Sequence, residues 1–523
     1  MWDATENNDE VLNILCRLQF SGQNRTDNLG ELTFDSSKRS RQTLRTFILA
    51  KLFLPVVTAA VALTLFPGCR ETQDQITPEI PRREPTSADL PDRHAIERFE
   101  ARHRAGNPNT NEAWPQLFGP DRTSTLHDVA IEAKWPQSGP PERWSIAVGT
   151  GYGSPVTAGD QVVFNHRIDD HEIVQCVSID QGSTHWLHRY PTTFECQFDY
   201  SDGPYSTPVI VADRVYTVGG QGQFLCLSLD DGQVIWQRDL HAEYELDDGD
   251  FPVGASPGID QDRIVFNLGA GDADAGVVCL DRQTGETLWE ASAHGRAYCS
   301  PMFATIAGSK FVFVTTDLGL LSLHPATGEI DWEFEHRSRT PMSYNAVSPL
   351  VHEDKVLLVT GPGPGAVCLK VNADRSYEVL WEDRRALDCQ FNTLMLAGDD
   401  VFGFTAAGQG GAEFRCVDFD TGEVQWRYHS LLRRGQGLIA GDAIVLFGER
   451  GHLASLLLDS QAPQVLSFSE MPVMQEPCYC SPALSRGMLL LKNEQRLVCF
   501  DVMPGDVMPG GPASEELTSL ADE

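Results

Sequence analysis

Basic residues are scarce in this chain: Lys and Arg number 40 against 74 Asp and Glu, a formal charge of -34. A surface so poor in cations repels phosphate backbones, which excludes a general nucleic-acid binder and leaves solubility or cationic partners as the roles of the charge. Several catalytic signatures are also missing. There is no H-E-x-x-H, no P-loop lysine, no C-x-x-C-H haem site and no kinase catalytic loop. Long helical periodicity is absent. The 13 cysteines are odd in number, none adjoins another, and the chain is not small, so they do not describe a disulfide framework.

What is present is turn chemistry. With 45 Gly, 31 Pro and 41% hydrophobic residues, the chain reads as many short strands joined by tight turns, an all-β fold. At 523 residues it is too long for one ordinary domain, although a radially repeated fold can absorb that length.

Residues 1–37 are a polar extension that forms no part of an export signal. Residues 38–69 do resemble one: Lys38, Arg39, Arg41, Arg45 and Lys51 precede the apolar run LFLPVVTAAVALTLF at 52–66. The run is short for a stable membrane span. It ends in Leu65-Phe66-Pro67-Gly68-Cys69, which resembles a bacterial lipobox with an atypical proline. Lipidation at Cys69 is one expectation; an uncleaved anchor, or a cleaved signal with Cys69 incidental, is the other. Each implies export to the periplasm or cell envelope. Residues 70–113 are a Pro-rich and charged tether, 114–501 hold the repeats described next, and 502–523 form an acidic tail expected to be disordered.

The repeat begins with a Ser/Thr-Pro pair: Ser154-Pro155, Thr207-Pro208, Ser256-Pro257, Ser300-Pro301, Ser348-Pro349 and Ser481-Pro482, with Thr393-Leu394 and Gly437-Leu438 as degenerate members. Eight units spaced 44 to 53 residues apart match the size of a four-stranded blade. Each unit continues to a turn glycine four residues before a tryptophan, in Gly182/Trp186, Gly232/Trp236, Gly285/Trp289, Gly328/Trp332 and Gly422/Trp426; Trp381 has Tyr377 at the glycine position. The six tryptophans are expected at equivalent buried positions between blades. Cys176, Cys226, Cys279, Cys368, Cys416 and Cys499 recur at one position of the unit and read as small packing residues. The last unit lacks its Trp-bearing strand, so Glu142-Arg143-Trp144-Ser145-Ile146 is expected to complete it.

The segments CLDRQTGETLW and CVDFDTGEVQW resemble the repeat of pyrroloquinoline-quinone-type β-propellers, in register over roughly 144–501. The segment WPQLFGPDR from Trp114 resembles the lead-in of such propellers in exported proteins. The resemblance implies an eight-bladed β-propeller of four-stranded antiparallel blades. Within this fold the chain resembles the propeller lipoprotein of the outer-membrane barrel-assembly machinery more than the quinoprotein dehydrogenases, and a monomeric, non-catalytic binding or assembly scaffold follows. Two alternatives remain open: a dehydrogenase using pyrroloquinoline quinone and Ca²⁺, and a ligand-sensing propeller with a shaped axial pocket. The dehydrogenases resembled use carboxylate and Asn metal ligands, an Asp base and commonly a disulfide between adjacent cysteines. Cys478-Tyr479-Cys480 is the nearest approach to that pair.

Gly254-Ala255-Ser256-Pro257-Gly258 matches the G-x-S-x-G nucleophile elbow in form only, because its serine belongs to the repeated Ser-Pro pair. The expected working surface, for a protein partner or small ligand, is the face bearing the loops between blades. There an acidic sector holds Glu243, Glu245, Asp247, Asp248 and Asp250, with Asp272 and Asp274 in an Asp-x-Asp-x-Gly hairpin that resembles the start of a calcium loop but lacks its terminal acid. Opposite stand three arginine pairs at corresponding blade exits: Arg337 and Arg339, Arg384 and Arg385, Arg433 and Arg434. Guanidinium pairs suit carboxylate or phosphate recognition, and equally the neutralisation of Glu335, Glu382 and Asp383 nearby.

Overall fold

The structure is a computed structural model that describes residues 113–338, 344–392, 394–405, 411–459 and 461–504. The export segment with Cys69, the tether up to residue 112, Arg339 and the tail from residue 505 lie outside the described residues.

Eight sheets form a β-propeller of antiparallel blades. Blades 1 to 7 occupy 156–191, 209–239, 258–291, 302–335, 350–383, 395–428 and 435–468. Blade 8 has three strands between 483 and 501, and its fourth is Glu142–Ala147, paired antiparallel to Arg496–Asp501. The two ends of the repeat array thus share one sheet, which leaves no unpaired inner edge at the closure. Within a blade the middle strands carry apolar residues on both faces, as in Val162–Phe164 and Val277–Leu280, because each is sandwiched between neighbouring blades. The outermost strands alternate, with buried Trp186 flanked by exposed residues in Thr184–Pro191.

The tryptophan repeat has a physical basis in these interfaces. In each unit the indole lies directly across the sheet from the recurring small residue: Cys176 faces Trp186, Cys226 faces Trp236, Cys279 faces Trp289, Cys368 faces Trp381 and Cys416 faces Trp426. All of these cysteines are fully buried thiols. Each ring then reaches the turn of the following blade. Trp186 Nε1 donates to the Leu229 carbonyl at 2.7 Å, Trp289 to Pro325 at 3.0 Å and Trp426 to Asp459 at 2.8 Å. Glycine is required beneath the ring: Gly232 has φ +70°, and a Cβ there would stand 2.4 Å from the Trp186 ring. Trp144 in the closing strand does the same, donating to Ile179 at 2.7 Å.

Burial is uneven around the ring. Trp186, Trp289 and Trp426 are buried, whereas Trp236, Trp332 and Trp381 are only partly so, which corrects the expectation of six equivalent sites. At Trp332 the packing itself differs. Its following blade has Tyr377 in place of glycine, the phenol packs at 4.5 Å from the indole, and the Trp332 N–H finds no acceptor.

The segment before blade 8's outer strand has two tasks that the repeat does not announce. Residues 114–126 cross the axis on the face opposite the loops between blades. Along the way Trp114 exchanges backbone and side-chain bonds with Thr157 of blade 1, Ile210 N–H reaches Pro115, Leu396 N–H reaches Thr123, and Thr125–Leu126 adds a parallel strand to blade 7. The Arg122 guanidinium, bonded to the Pro301 carbonyl and to Gln116, is half-buried, and its desolvation pulls its pKa down to about 10 although Asp260 opposes this. Further on, Trp135 enters the interface of blades 7 and 8. Blade 7 has Ser467 where the other blades have tryptophan, and Ser467 Oγ accepts from the Trp135 backbone N–H at 2.8 Å and donates back to its carbonyl at 3.2 Å. The missing indole is supplied from outside the repeat.

Candidate functional site: an aromatic cup on the propeller axis

Of the eight chain segments that begin a blade, six end in a Ser/Thr-Pro pair and a seventh in Thr393-Leu394. Five of these segments place an aromatic residue two positions earlier: Tyr152 before Ser154, Tyr205 before Thr207, Tyr298 before Ser300, Phe391 before Thr393 and Tyr479 before Ser481. A spacing of two in an extended chain turns both side chains to the same side, here toward the axis.

The hydroxyls form a belt. Ser481 N–H donates to Ser154 Oγ at 2.8 Å, Ser154 to Thr207 at 3.0 Å, Thr207 to Ser256 at 2.8 Å, Ser256 to Ser300 at 3.3 Å and Ser300 to Ser348 at 2.8 Å. The repeat therefore keeps Ser/Thr because each hydroxyl satisfies the backbone of the adjoining blade. Ser256 is buried in this belt at the head of an innermost strand and is no nucleophile elbow.

Above the belt the rings make a collar around a cavity of about 380 Å³. Tyr152 lies 4.7 Å from Tyr205 and 5.1 Å from Tyr479, and Phe391 packs edge-on against Tyr479 at 5.2 Å. A second arc joins Phe198, Phe251, Tyr298 and Tyr344, with Phe251 stacked on Phe198 at 5.1 Å and edge-on to Tyr298 at 6.0 Å. Tyr200 touches both arcs, at 5.7 Å from Phe251 and 6.5 Å from Tyr479. Leu117 and Phe118 of the axis-crossing segment line the cavity as well, so that segment makes the channel a cup. Phe118 has φ +69°, a left-handed conformation uncommon for a bulky side chain. Burial pushes the Tyr152, Tyr205, Tyr298 and Tyr479 phenols upward in pKa, so they stay neutral at any physiological pH.

The cup does not fit the cofactor of the quinoprotein dehydrogenases. Pyrroloquinoline quinone is a tricarboxylate, which needs cationic side chains, and its Ca²⁺ needs several oxygen ligands. Among the described residues the lining contains no Lys, Arg, Asp or Glu, and no group of three His, Cys, Asp or Glu converges as a metal site. Asp272 and Asp274 sit in an exposed turn of blade 3, Asp274 in a left-handed conformation. Cys478 and Cys480 are buried free thiols.

The charged residues of the loop face divide into spent and available groups. Arg433 and Arg434 both pair with the nearly buried Glu449, Arg434 at 2.8 Å, and Arg434 also bonds Gln390 and lies over the Phe391 ring at 4.7 Å. Arg337 stands 3.6 Å from Glu335. Arg384 and Arg385 are exposed and form no ion pair with any described residue. In the acidic sector Glu243 holds Arg238, Asp248 accepts from Gln221, and Asp250 accepts from the Tyr344 hydroxyl at 2.9 Å. Arg296 braces this loop through the carbonyls of Asp247 and Asp248. The aromatic collar was missed at the sequence level, where only the Ser/Thr-Pro pair was followed; the aromatic residue two positions before it was the available signal.

Comparison with known proteins agrees with this construction. Residues 170–428 match the family model described as outer membrane protein assembly factor BamB. The factor of that name from Burkholderia pseudomallei is 25% identical over 258 residues, which cover 47% of this chain and 61% of the relative. That from Salmonella typhimurium is 30% identical over 151 residues, covering 29% of this chain and 32% of the relative. The chain thus spans less than two thirds of each of these relatives. Among solved structures, the quinohemoprotein alcohol dehydrogenase of Comamonas testosteroni superposes with a TM-score of 0.56 at 12% identity, over 82% of this chain and 86% of its own, a likeness of fold alone. With eight blades, the Ser/Thr belt and the tryptophan-on-glycine interfaces, this chain is a PQQ-repeat β-propeller that resembles BamB.

Proposed function

We propose that the protein is an exported, non-catalytic scaffold in outer-membrane protein assembly, held in the envelope by a lipid on Cys69 and presenting its loop face to protein partners. The observation that carries this reading is the axial cup: in a fold shared with dehydrogenases, the described residues around the axis offer nothing to hold the quinone or its metal. The match to the assembly-factor family supplies the functional class. The exposed Arg384 and Arg385 are the groups of the loop face best able to meet a carboxylate-bearing partner.

Photo-crosslinkers placed at Arg384 and at Glu286, which lies in a turn between outer strands on the opposite face, test the docking surface. Crosslinking in intact cells should give a discrete adduct with an envelope protein from Arg384 and none from Glu286. Equal labelling from both faces overturns the surface assignment. Purified protein supplied with pyrroloquinoline quinone and Ca²⁺ should neither retain the quinone nor reduce a dye with alcohols or sugars; stoichiometric quinone with turnover makes it an enzyme. Cys69→Ala should release the propeller from the membrane fraction, and continued membrane attachment with an intact N-terminus would make the apolar segment an anchor.

A further inference from the structure

We infer that the aromatic cup is itself a recognition site, and that its ligand is an extended peptide carrying an aromatic side chain flanked by Lys or Arg. This deepens the scaffold reading and rests on it, since the occupant is taken to be a protein. Three features of the site point to that chemistry.

The first is the lining. The walls are ring faces and neutral hydroxyls from seven different blade connections, and the floor is closed by Leu117 and Phe118. An uncharged aromatic cup of about 380 Å³ accepts a side chain entering from its mouth and holds it by ring packing. Anchors of this kind dominate the binding energy of protein interfaces.

The second is the distribution of charge at the mouth. Asp199 is exposed between Phe198 and Tyr200, two rings of the collar, and exposed Asp250 adjoins Phe251 and accepts from the Tyr344 hydroxyl at 2.9 Å. Asp202, Asp247 and Asp248 are exposed on the same two connections. The nearby arginines are engaged: Arg434 by Glu449 and Gln390, Arg296 by two backbone carbonyls and Arg167 by the carbonyls of Phe194 and Asp202. The buried Lys492 behind the wall donates to the Gly151 carbonyl at 2.8 Å. An acidic mouth around an uncharged cup favours a cation beside the ring rather than within the pocket, and it repels an anionic ring such as the quinone tricarboxylate.

The third is donor placement. Gln390 Oε1 is taken by Arg434 at 2.7 Å, which leaves its amide N–H₂ without a described partner at the collar, and the Tyr298 and Tyr479 hydroxyls likewise bond no described residue. These groups can donate to the backbone carbonyls of a peptide laid across the mouth.

The test uses the full chain and three short fluorescent peptides of equal length: one with a tryptophan between lysines, one with leucine in place of the tryptophan, and one with glutamates in place of the lysines. Fluorescence anisotropy should show the first binding at least about tenfold more tightly than either of the others. Tyr479→Ala and Tyr298→Ala should each weaken it by about tenfold, with melting temperature checked to confirm folding. Tyr479→Phe keeps the ring and should retain most of the affinity. Asp199→Asn with Asp250→Asn should weaken binding several-fold and flatten its salt dependence. Equal affinity for the three peptides, or unchanged binding by folded Tyr479→Ala and Tyr298→Ala, overturns the inference. Free tryptophan amide binding as well as the peptide would make the cup a small-molecule site and overturn the peptide assignment. The crosslinker at position 384 separates this failure from that of the scaffold reading: a discrete crosslink with unselective peptides removes only the cup's role, and absence of any crosslink from position 384 in the otherwise unaltered protein removes the scaffold.

Discussion

The junctions among blades 1 to 4 and those where the ring closes hold together by different means. At the three junctions that join blades 1 to 4, Trp186, Trp236 and Trp289 each rest on a glycine turn and donate to a carbonyl of the next blade, so these interfaces are made by the repeat itself. At the closure the repeat is incomplete. Trp135 and the strand containing Trp144, both from the non-repeating lead-in, fill the places on either side of blade 8, and the buried indole N–H of Trp135 has no partner among the described residues. Repetition secures interfaces only where a following turn exists; elsewhere the propeller depends on a segment that must arrive from a distant part of the chain.

Substitution can sharpen that contrast. Trp289→Ala should cost roughly 3 to 5 kcal/mol in denaturant unfolding, as for other large buried aromatics, and a loss below about 1 kcal/mol would remove its packing role. Trp135→Ala should cost roughly 2 to 4 kcal/mol, and unlike Trp289→Ala it should also expose the lead-in to limited proteolysis. If the lead-in stays protected, the closing segment is held by its backbone bonds alone.

Acid should act on the closing side first. His166 lies in blade 1 near Lys492 of blade 8, accepts Gly149 N–H at 2.8 Å, and is held to a pKa of about 4 by burial and then by Lys492. Its folded pKa lies below its unfolded value near 6.5, so the unfolded chain binds the extra proton between those values. Stability from this group is therefore complete above about pH 6.5, falls as pH is lowered and levels off below about pH 4, an effect of roughly 3 kcal/mol. His166→Gln should flatten that part of the pH-stability curve. An unchanged curve would mean that other groups carry the acid sensitivity.

Trp332→Ala should cost only about 1 to 2 kcal/mol, because its side chain is only partly buried and its N–H is already unbonded. A cost equal to that of Trp289→Ala would show that the Tyr377 contact replaces the glycine turn in full. Smallest of all, Arg384→Glu with Arg385→Glu should shift stability by less than about 0.5 kcal/mol while reducing partner capture. The matching Glu286→Lys variant should leave capture unchanged.

Blade number, blade boundaries and the borrowed closing strand were readable because they follow from short-range pattern: a Ser/Thr-Pro pair, a glycine turn and a tryptophan at constant spacing each make a local conformational demand. The cysteine positions were readable for the same reason, although their place opposite the indoles was not. Charge was read less well. The three arginine pairs look alike in sequence, yet Arg433 and Arg434 close on Glu449, a residue beyond the next two strands, while Arg384 and Arg385 remain exposed. Spacing along the chain carries no information about which carboxylate a long side chain will find.

The amino-acid sequence by itself thus determined the all-β ring and its number of blades, since hydrogen bonding and burial within one blade involve neighbours along the chain. Only the tertiary structure decided that the tyrosines preceding the Ser/Thr-Pro pairs converge, that Leu117 and Phe118 close the channel beneath them, and that Trp135 takes the vacant place beside Ser467. Each of those outcomes brings together residues from different blades or from opposite ends of the array, and the radial packing of all eight sheets is what sets their distances.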